Sequence, residues 1–253
     1  MSAGLRRIEW ILPLGTLLLL TCIGWGGYVA IRAAMRDALR SQLSANLSAN
    51  VGTLRRWIEH EHELAHVWAS DPELRSIVPH QLALATNRVP GGDTLLTSTA
   101  LSKLRTRLRP LCKSHDHEGF LIVNPRRVCV AAMDDSFIGQ PVPVAAQTAI
   151  DRALSGETTI CQPFLLREQT PLMLIATPVR DQHEAIVAAL VLMIDPTGEF
   201  TAIFANSRIA EAGDSFAFDW QGRLLSASRF DQTFRQLGIL PADDETSILR
   251  VRA

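Results

Sequence analysis

AIVAALVLMIDP, residues 185–196, decides the fold: an uncharged, almost wholly aliphatic run from Ala185 to Ile194 stands between His183-Glu184 and Asp195-Pro196. A helix across a bilayer needs roughly 20 apolar residues, so this run is too short to be one. Its Val, Ile and Leu content and the turn-like flanks DQHE and DPTGE describe a strand covered on both faces. It is expected to be the central strand of a sheet around which residues 101–207 fold.

Working outward, LMLIATPVRD (172–181) is a strand joined to it by the turn Gln182-His183-Glu184, and CQPFLL (161–166) precedes that strand. Val144 to Leu154 spells a short amphipathic helix stopped at Gly156. Earlier still, GFLIVN (119–124) and VCVAAM (128–133) form two strands linked by Asn124-Pro125-Arg126-Arg127, where proline's fixed φ suits a turn. Gly139-Gln140-Pro141 breaks the chain, and Thr197 to Ser207 returns to helix. The order is helix, two strands, helix, three strands, helix. That predicts an α+β module with an antiparallel meander backed by helices.

Upstream, Leu101, Leu104, Leu108 and Leu111 place Thr94 to Leu111 on one helix, with Lys103, Arg105 and Arg107 facing water. Pro90-Gly91-Gly92-Asp93 is a turn, and Asp71 to about Val89 a shorter helix. Residues 33–70 form one long stalk helix, on which Leu39, Leu43, Leu47, Val51, Leu54, Ile58, Ala65 and Trp68 share a stripe ~100° wide. Ser70-Asp71-Pro72 closes it, since Pro72 cannot continue a helix. A single stripe on so long a helix must be buried against the sheet, a twin helix or both, so a homodimer along it is expected.

Trp10 to Ile31, WILPLGTLLLLTCIGWGGYVAI, carries no charge. At ~1.5 Å per residue it spans a hydrocarbon core, and Trp10 and Tyr28 sit where amphipathic rings prefer the interface. A cleaved signal peptide fits less well: the run exceeds the ~7–15 residues of an h-region, and Tyr28-Val29-Ala30 lacks the small-x-small pattern. Gly26-x-x-x-Ala30 permits close packing of two such helices. Arg6 and Arg7 before the span and Arg32, Arg36 and Arg40 after it leave orientation open. With 25 basic and 26 acidic residues the net charge is −1, so nothing steers the chain to nucleic acid.

At the C-terminal end Phe216, Phe218 and Trp220 alternate with small or polar residues, Gln221-Gly222 turns, and Arg223 to Ser228 runs back. This is a weak repeat of the first hairpin. Phe230 to Ala253 spells no helix and no strand set. Residues 208–253 are therefore expected either to start a second, incomplete module or to pack as an appendage on the first.

The succession GFLIVNPRR-VCVAAM, Ile138-Gly139-Gln140, Ala153-Leu154-Ser155-Gly156-Glu157, ATPVRD, VLMIDPTGEF and Ala210-Glu211-Ala212-Gly213-Asp214 with FDWQGRLLSASRF resembles a double Cache sensor domain over about residues 33–232. Such domains are extracytoplasmic ligand sensors of bacterial receptors, two PAS-like modules stacked on a long membrane-proximal helix. The resemblance implies residues 1–9 cytoplasmic, 10–31 spanning the inner membrane once, 32–70 the stalk, 71–207 a membrane-distal module in the periplasm and 208–253 the start of a second. It also implies an output domain beyond a second span. Neither is in this sequence, so a truncated, non-signalling anchor stands as an alternative. Family members that bind amino acids carry a Tyr and Asp pair where Gln162, Pro163 and Phe164 stand here, and amino-acid recognition is not carried over.

The expected ligand is a small molecule on the concave face of the sheet, with Arg127, Asp134, Asp135, Gln162 and Thr177 as rim contacts. No cofactor is expected. His62-Glu63-Leu64-Ala65-His66 is a formal H-E-x-x-H, which on a helix sets two imidazoles one turn apart for zinc and makes a membrane-tethered hydrolase the enzymatic alternative. Against it, His66 lies ~130° from the apolar stripe and Glu63 close to the opposite side, and Glu61 adds a charge just before the motif. His60, His62 and His66 are thus expected on a solvated face, and His115 and His117, flanking Asp116, in a solvated loop. Among the cysteines, Cys22 lies in the span. A PAS-like sheet puts the strands of Cys129 and Cys161 at opposite edges, so Cys112–Cys129 is the favoured disulfide, against three free thiols. No nucleophile elbow, phosphate loop or dinucleotide fingerprint is present.

Overall fold

Strand β5 (Ile186–Ile194) is buried from Ala188 to its end and occupies the middle of a five-stranded sheet of order β2-β1-β5-β4-β3, antiparallel throughout. The other strands are β1 (His117–Val123), β2 (Cys129–Ala132), β3 (Thr159–Leu166) and β4 (Thr170–Arg180). This computed structural model describes residues 5–86, 93–167, 169–205, 215–241, 244 and 246–252. The expected turn at Pro90-Gly91-Gly92 lies outside them.

Both neighbours of β5 are in register: Val191 stands opposite Leu121 on one side and Ala176 on the other. Alternation then sorts the core. Phe120, Ile122, Ile175, Leu190 and Leu192 share one face, while Leu121, Leu174, Val191 and Met193 share the other. Each such side chain stabilises the fold by ~1.5–3 kcal/mol when fully buried. An unbroken aliphatic strand follows from having no wet face.

Among the described residues seven α-helices accompany the sheet: α1 (Leu5–Ala69), α2 (Pro72–Thr86), α3 (Asp93–Leu96), α4 (Thr99–Ser114), α5 (Val144–Leu154), α6 (Glu199–Ala205) and α7 (Asp231–Gln236). The chain divides into two bodies. In the first, α1 up to Ala49, the residues from Leu17 to Ile31 expose their large apolar side chains, and α1 is the one described helix long and apolar enough to cross a membrane. Leu39, Leu43 and Leu47 are also uncovered, at 53%, 48% and 65% exposure, so among the described residues nothing covers this part of the stripe. The second body begins at Asn50. There Val51 is still exposed, and past it the same stripe sinks inward, but through Trp57, Glu61, Ala65 and Trp68 as well as the expected Leu54 and Ile58.

Four expectations need correction here. The single helix over Thr94–Leu111 is two, because Ser98 stops α3 and caps α4: its Oγ accepts from Leu101 N at 3.0 Å and donates to Gln81 Oε1 at 2.6 Å. Arg105 does not simply face water, whereas Arg107 is exposed as expected but paired. Arg105 Nε donates to Ala132 O at 2.8 Å and pairs with Asp135, and Arg107 pairs with Asp71. Beyond Phe230 there is a helix after all, α7, six residues long and without a buried side chain. The second hairpin is reduced to one isolated bridge, Phe218 to Leu224, around a turn held by the buried Asp219.

Asp71 shows how local chemistry places α2. Its Oδ1 accepts from Glu73 N at 2.8 Å and Leu74 N at 3.3 Å ahead of Pro72, while Oδ2 takes the Arg107 guanidinium. Burial opposes ionisation, yet Arg107 and the two backbone N–H groups hold the carboxyl below its ordinary range. Asp71→Ala is expected to cost ~1–2 kcal/mol in denaturant unfolding near neutral pH. Because the folded-state value is depressed, that contribution is complete above the unfolded carboxylate range and disappears as pH falls through the folded value. Wild type and variant should therefore converge in acid.

Candidate functional site

The sheet face that carries Leu121, Leu174 and Met193 is roofed by the segment from Phe137 to Pro143. Between them, with Cys129 and Phe164, lies an apolar pocket of about 20 Å³. A single water needs ~10–15 Å³, so the pocket is closed to a metabolite in this arrangement. A cleft of about 1130 Å³ adjoins it, sharing Phe137, Leu166, Leu172 and Met193 as walls. Its far side is the C-terminal segment, including Asp231, Ile248 and Arg250.

Phe137 is one of the four walls the two share. It ends a 3-10 turn, Asp135–Phe137, capped by Asp134, whose Oδ1 accepts from Ser136 N at 2.8 Å. That N–H lowers the Asp134 pKa, with Arg167 and Arg105 adding to it, and the Arg167 guanidinium lies 5.6 Å from the Phe137 ring centre. Among the described residues the cleft presents Glu118, Asp134, Asp195, Asp231 and Asp244 against one guanidinium, Arg250, which pairs with Asp244 at 3.1 Å.

Of the five expected contacts, Asp134 lines the cleft. Asp135 stands beside it, paired with Arg105. Arg127, at φ 61° in the β1–β2 turn, forms a bidentate pair with Asp151 at 2.8 and 3.0 Å. Gln162 is exposed at the register break of β3, and Thr177 is buried with its Oγ1 2.8 Å from Thr158 Oγ1. The structure brings only the two aspartates together. Leu172, Leu174 and Met193 were within reach of sequence reasoning, since alternation from β5 puts them on one face. Asp231 was not, because its place depends on the packing of the C-terminal segment.

His117 is corrected most sharply. Instead of lying in a solvated loop it opens β1, buried, with Nε2 2.9 Å from Glu61 Oε2. Glu61, the charge just before the H-E-x-x-H motif, is buried with it. His62 is half-buried, and burial, then Arg152, lowers its pKa; Glu63 and His66 are exposed. Among the described residues no group of three or more His, Cys, Asp or Glu is placed to hold a metal ion. All four cysteines are free thiols, so the favoured Cys112–Cys129 bridge is not formed. Cys112 is buried in α4, and Cys129 in β2 turns its thiol to Ala131 O at 3.3 Å. Burial pushes them up to about 11 and about 12 respectively, and raises Cys161 too.

No protein-family model and no curated protein matches the chain. Among solved structures it is similar to the sensor domain of the Vibrio cholerae histidine kinase DctB, with TM-score 0.53 and 18% identity over 76% of this chain and 66% of that one. The chain thus spans slightly less than two thirds of that domain's length. At this identity the likeness is one of fold: that of Cache-type extracytoplasmic sensor domains, as the resemblance implied. Looser likenesses join it to the ligand-binding domain of the Campylobacter jejuni chemoreceptor Tlp3 in complex with 4-methylisoleucine (TM-score 0.47, 13% identity, 81% and 75% covered). Another is to that of the Pseudomonas fluorescens chemoreceptor CtaA in complex with L-isoleucine (TM-score 0.46, 15% identity, 76% and 71% covered).

Two outcomes are expected. Thiol labelling near pH 8 should leave Cys112 and Cys129 unmodified until the protein is unfolded, because the thiolate is the reactive form; rapid native labelling of either would refute their burial. Zinc titration of the full chain should give no stoichiometric uptake, and a tight equimolar site abolished by His62→Ala would revive the hydrolase.

Proposed function

We propose that this chain is a single-pass, membrane-anchored extracytoplasmic sensor: a small molecule binds the sheet module, and the resulting shift travels along α1 into the membrane span. The observation that carries this is that one unbroken helix, Leu5–Ala69, holds both the apolar segment and the residues against which the sheet is built. The fold shared with the DctB sensor domain supports it. Signalling of this kind needs no chemistry. It needs a ligand with different affinity for two arrangements of the same protein.

The ligand site of this proposal is the closed apolar pocket together with the acidic cleft, with Phe137 as the wall that has to move. The carboxylates of the cleft favour a ligand that brings a positive charge over a dianion. Residues 71–207 are the sensing module and 208–253 the start of a second; the exposed Leu39, Leu43 and Leu47 are where a second copy of the stalk would pack. The inner membrane with a periplasmic module is the location this reading requires. The hydrolase alternative gains no support from the geometry of His62 and His66.

The full chain in lipid nanodiscs should be screened by thermal shift against amino acids, amines and carboxylates. A ligand at ~100 times its Kd adds ~2.7 kcal/mol, which for a domain of this size raises Tm by ~5–10 °C. Phe137→Ala should change the apparent Kd of any hit several-fold. A screen in which no compound gives a saturable shift argues for the non-signalling anchor.

A further inference from the structure

Trp57, Glu61, Ala65 and Trp68 recur along α1 at steps of four, four and three, and all are buried. Trp57 Nε1 donates to Glu199 Oε2 at 3.2 Å, and its ring lies 5.9 Å from that of Phe200 in α6. Trp68 meets His117 edge-on at 5.4 Å and His115 at 5.6 Å. Midway between these aromatic anchors sits the Glu61–His117 hydrogen bond, with side chains 5% and 1% exposed.

That contact is a poor way to make a helix adhere. Taking a carboxylate and an imidazole out of water costs more than burying apolar residues of the same size, and leaves less net attraction. Among the described residues His117 Nδ1 also has no hydrogen-bond partner, so the pair is incompletely satisfied in a dry interior. What a buried polar pair provides is register. Apolar surfaces tolerate sliding, whereas this bond exists at one axial position of α1 only. Its place is telling. His117 is paired with Ile194 at the end of β5, from which Asp195-Pro196 leads into α6 and the Trp57 contact.

We propose that the Glu61–His117 hydrogen bond is the register-setting joint between stalk helix and sheet, made in one arrangement and released in the other. Displacement of the β1–β5 end of the sheet thereby becomes movement of α1. The existence of the joint stands on geometry alone; what it transmits rests on the sensor reading above.

Hydrogen exchange on the full chain in nanodiscs tests the joint without any ligand, so its failure is separable from failure of the sensor reading. In the wild type, amides 57–69 should open ahead of those in β4 and β5. Glu61→Leu strands the imidazole with both nitrogens unpaired, and should cut protection of 57–69 about tenfold while β4 and β5 keep theirs. Glu61→Gln retains a hydrogen bond to the ring and should stay near wild type; this variant covers the case in which Glu61→Leu does not fold. Glu61→Leu with His117→Phe replaces both partners by apolar groups and should restore protection, fixing the coupling through a double-mutant cycle. The proposal is overturned if wild-type 57–69 exchanges in step with β5, or if Glu61→Gln loses as much as Glu61→Leu. It also fails if the single and double variants are equally open, or if every variant lowers helix and sheet together.

Discussion

Burial of β5 on both faces, with a hydrogen-bonded neighbour along each edge, is the constraint from which the other elements take their places. A strand with no wet side has to be aliphatic throughout, and its partners inherit an alternation in which every second residue faces a helix layer. Phe120, Ile122, Ile175, Leu190 and Leu192 then form one half of the core, and Leu121, Leu174 and Met193 the floor of the pocket. The pocket is thus a by-product of register: a slip by one residue would exchange floor and core.

The helices play unequal parts. α5 and α4 are amphipathic in the ordinary sense and cover the sheet with small or branched side chains such as Ala146, Ala149, Leu101 and Leu104. α1 instead mixes apolar anchors with a buried acid, and exposes Leu39, Leu43 and Leu47. Between α1 and the sheet, the incompletely satisfied Glu61–His117 contact is, on the proposal above, the softer seam along which the two can part.

The fold was legible where one physical rule dominates. The decamer beginning at Ala185 announces double-sided burial, and the 3.6-residue period of Leu39 to Ile58 announces a long helix. What stayed hidden were features whose residues look ordinary alone. Glu61 and His117 are spelled like solvent-facing residues, and only their meeting in three dimensions reveals a buried pair. Ser98 inside a leucine-rich stretch reads as helical until its cap to Leu101 N is seen. α7 has no apolar stripe to betray it. At the candidate site, Asp134 was visible as a strand-end carboxylate, whereas Phe137 gains its position from a cap, and Arg127 is taken up by Asp151.

The two outer strands carry a consequence for how copies of the molecule can meet. β3 is interrupted midway by Gln162-Pro163, and a proline there offers no amide to a visiting chain. β2 is four residues long, and its outer side is occupied by Gly139 and Gln140, which exchange backbone hydrogen bonds with Cys129. Both margins are blunted against intermolecular strand addition and the aggregation it seeds. Any self-association is thereby diverted from the sheet to the helical surfaces.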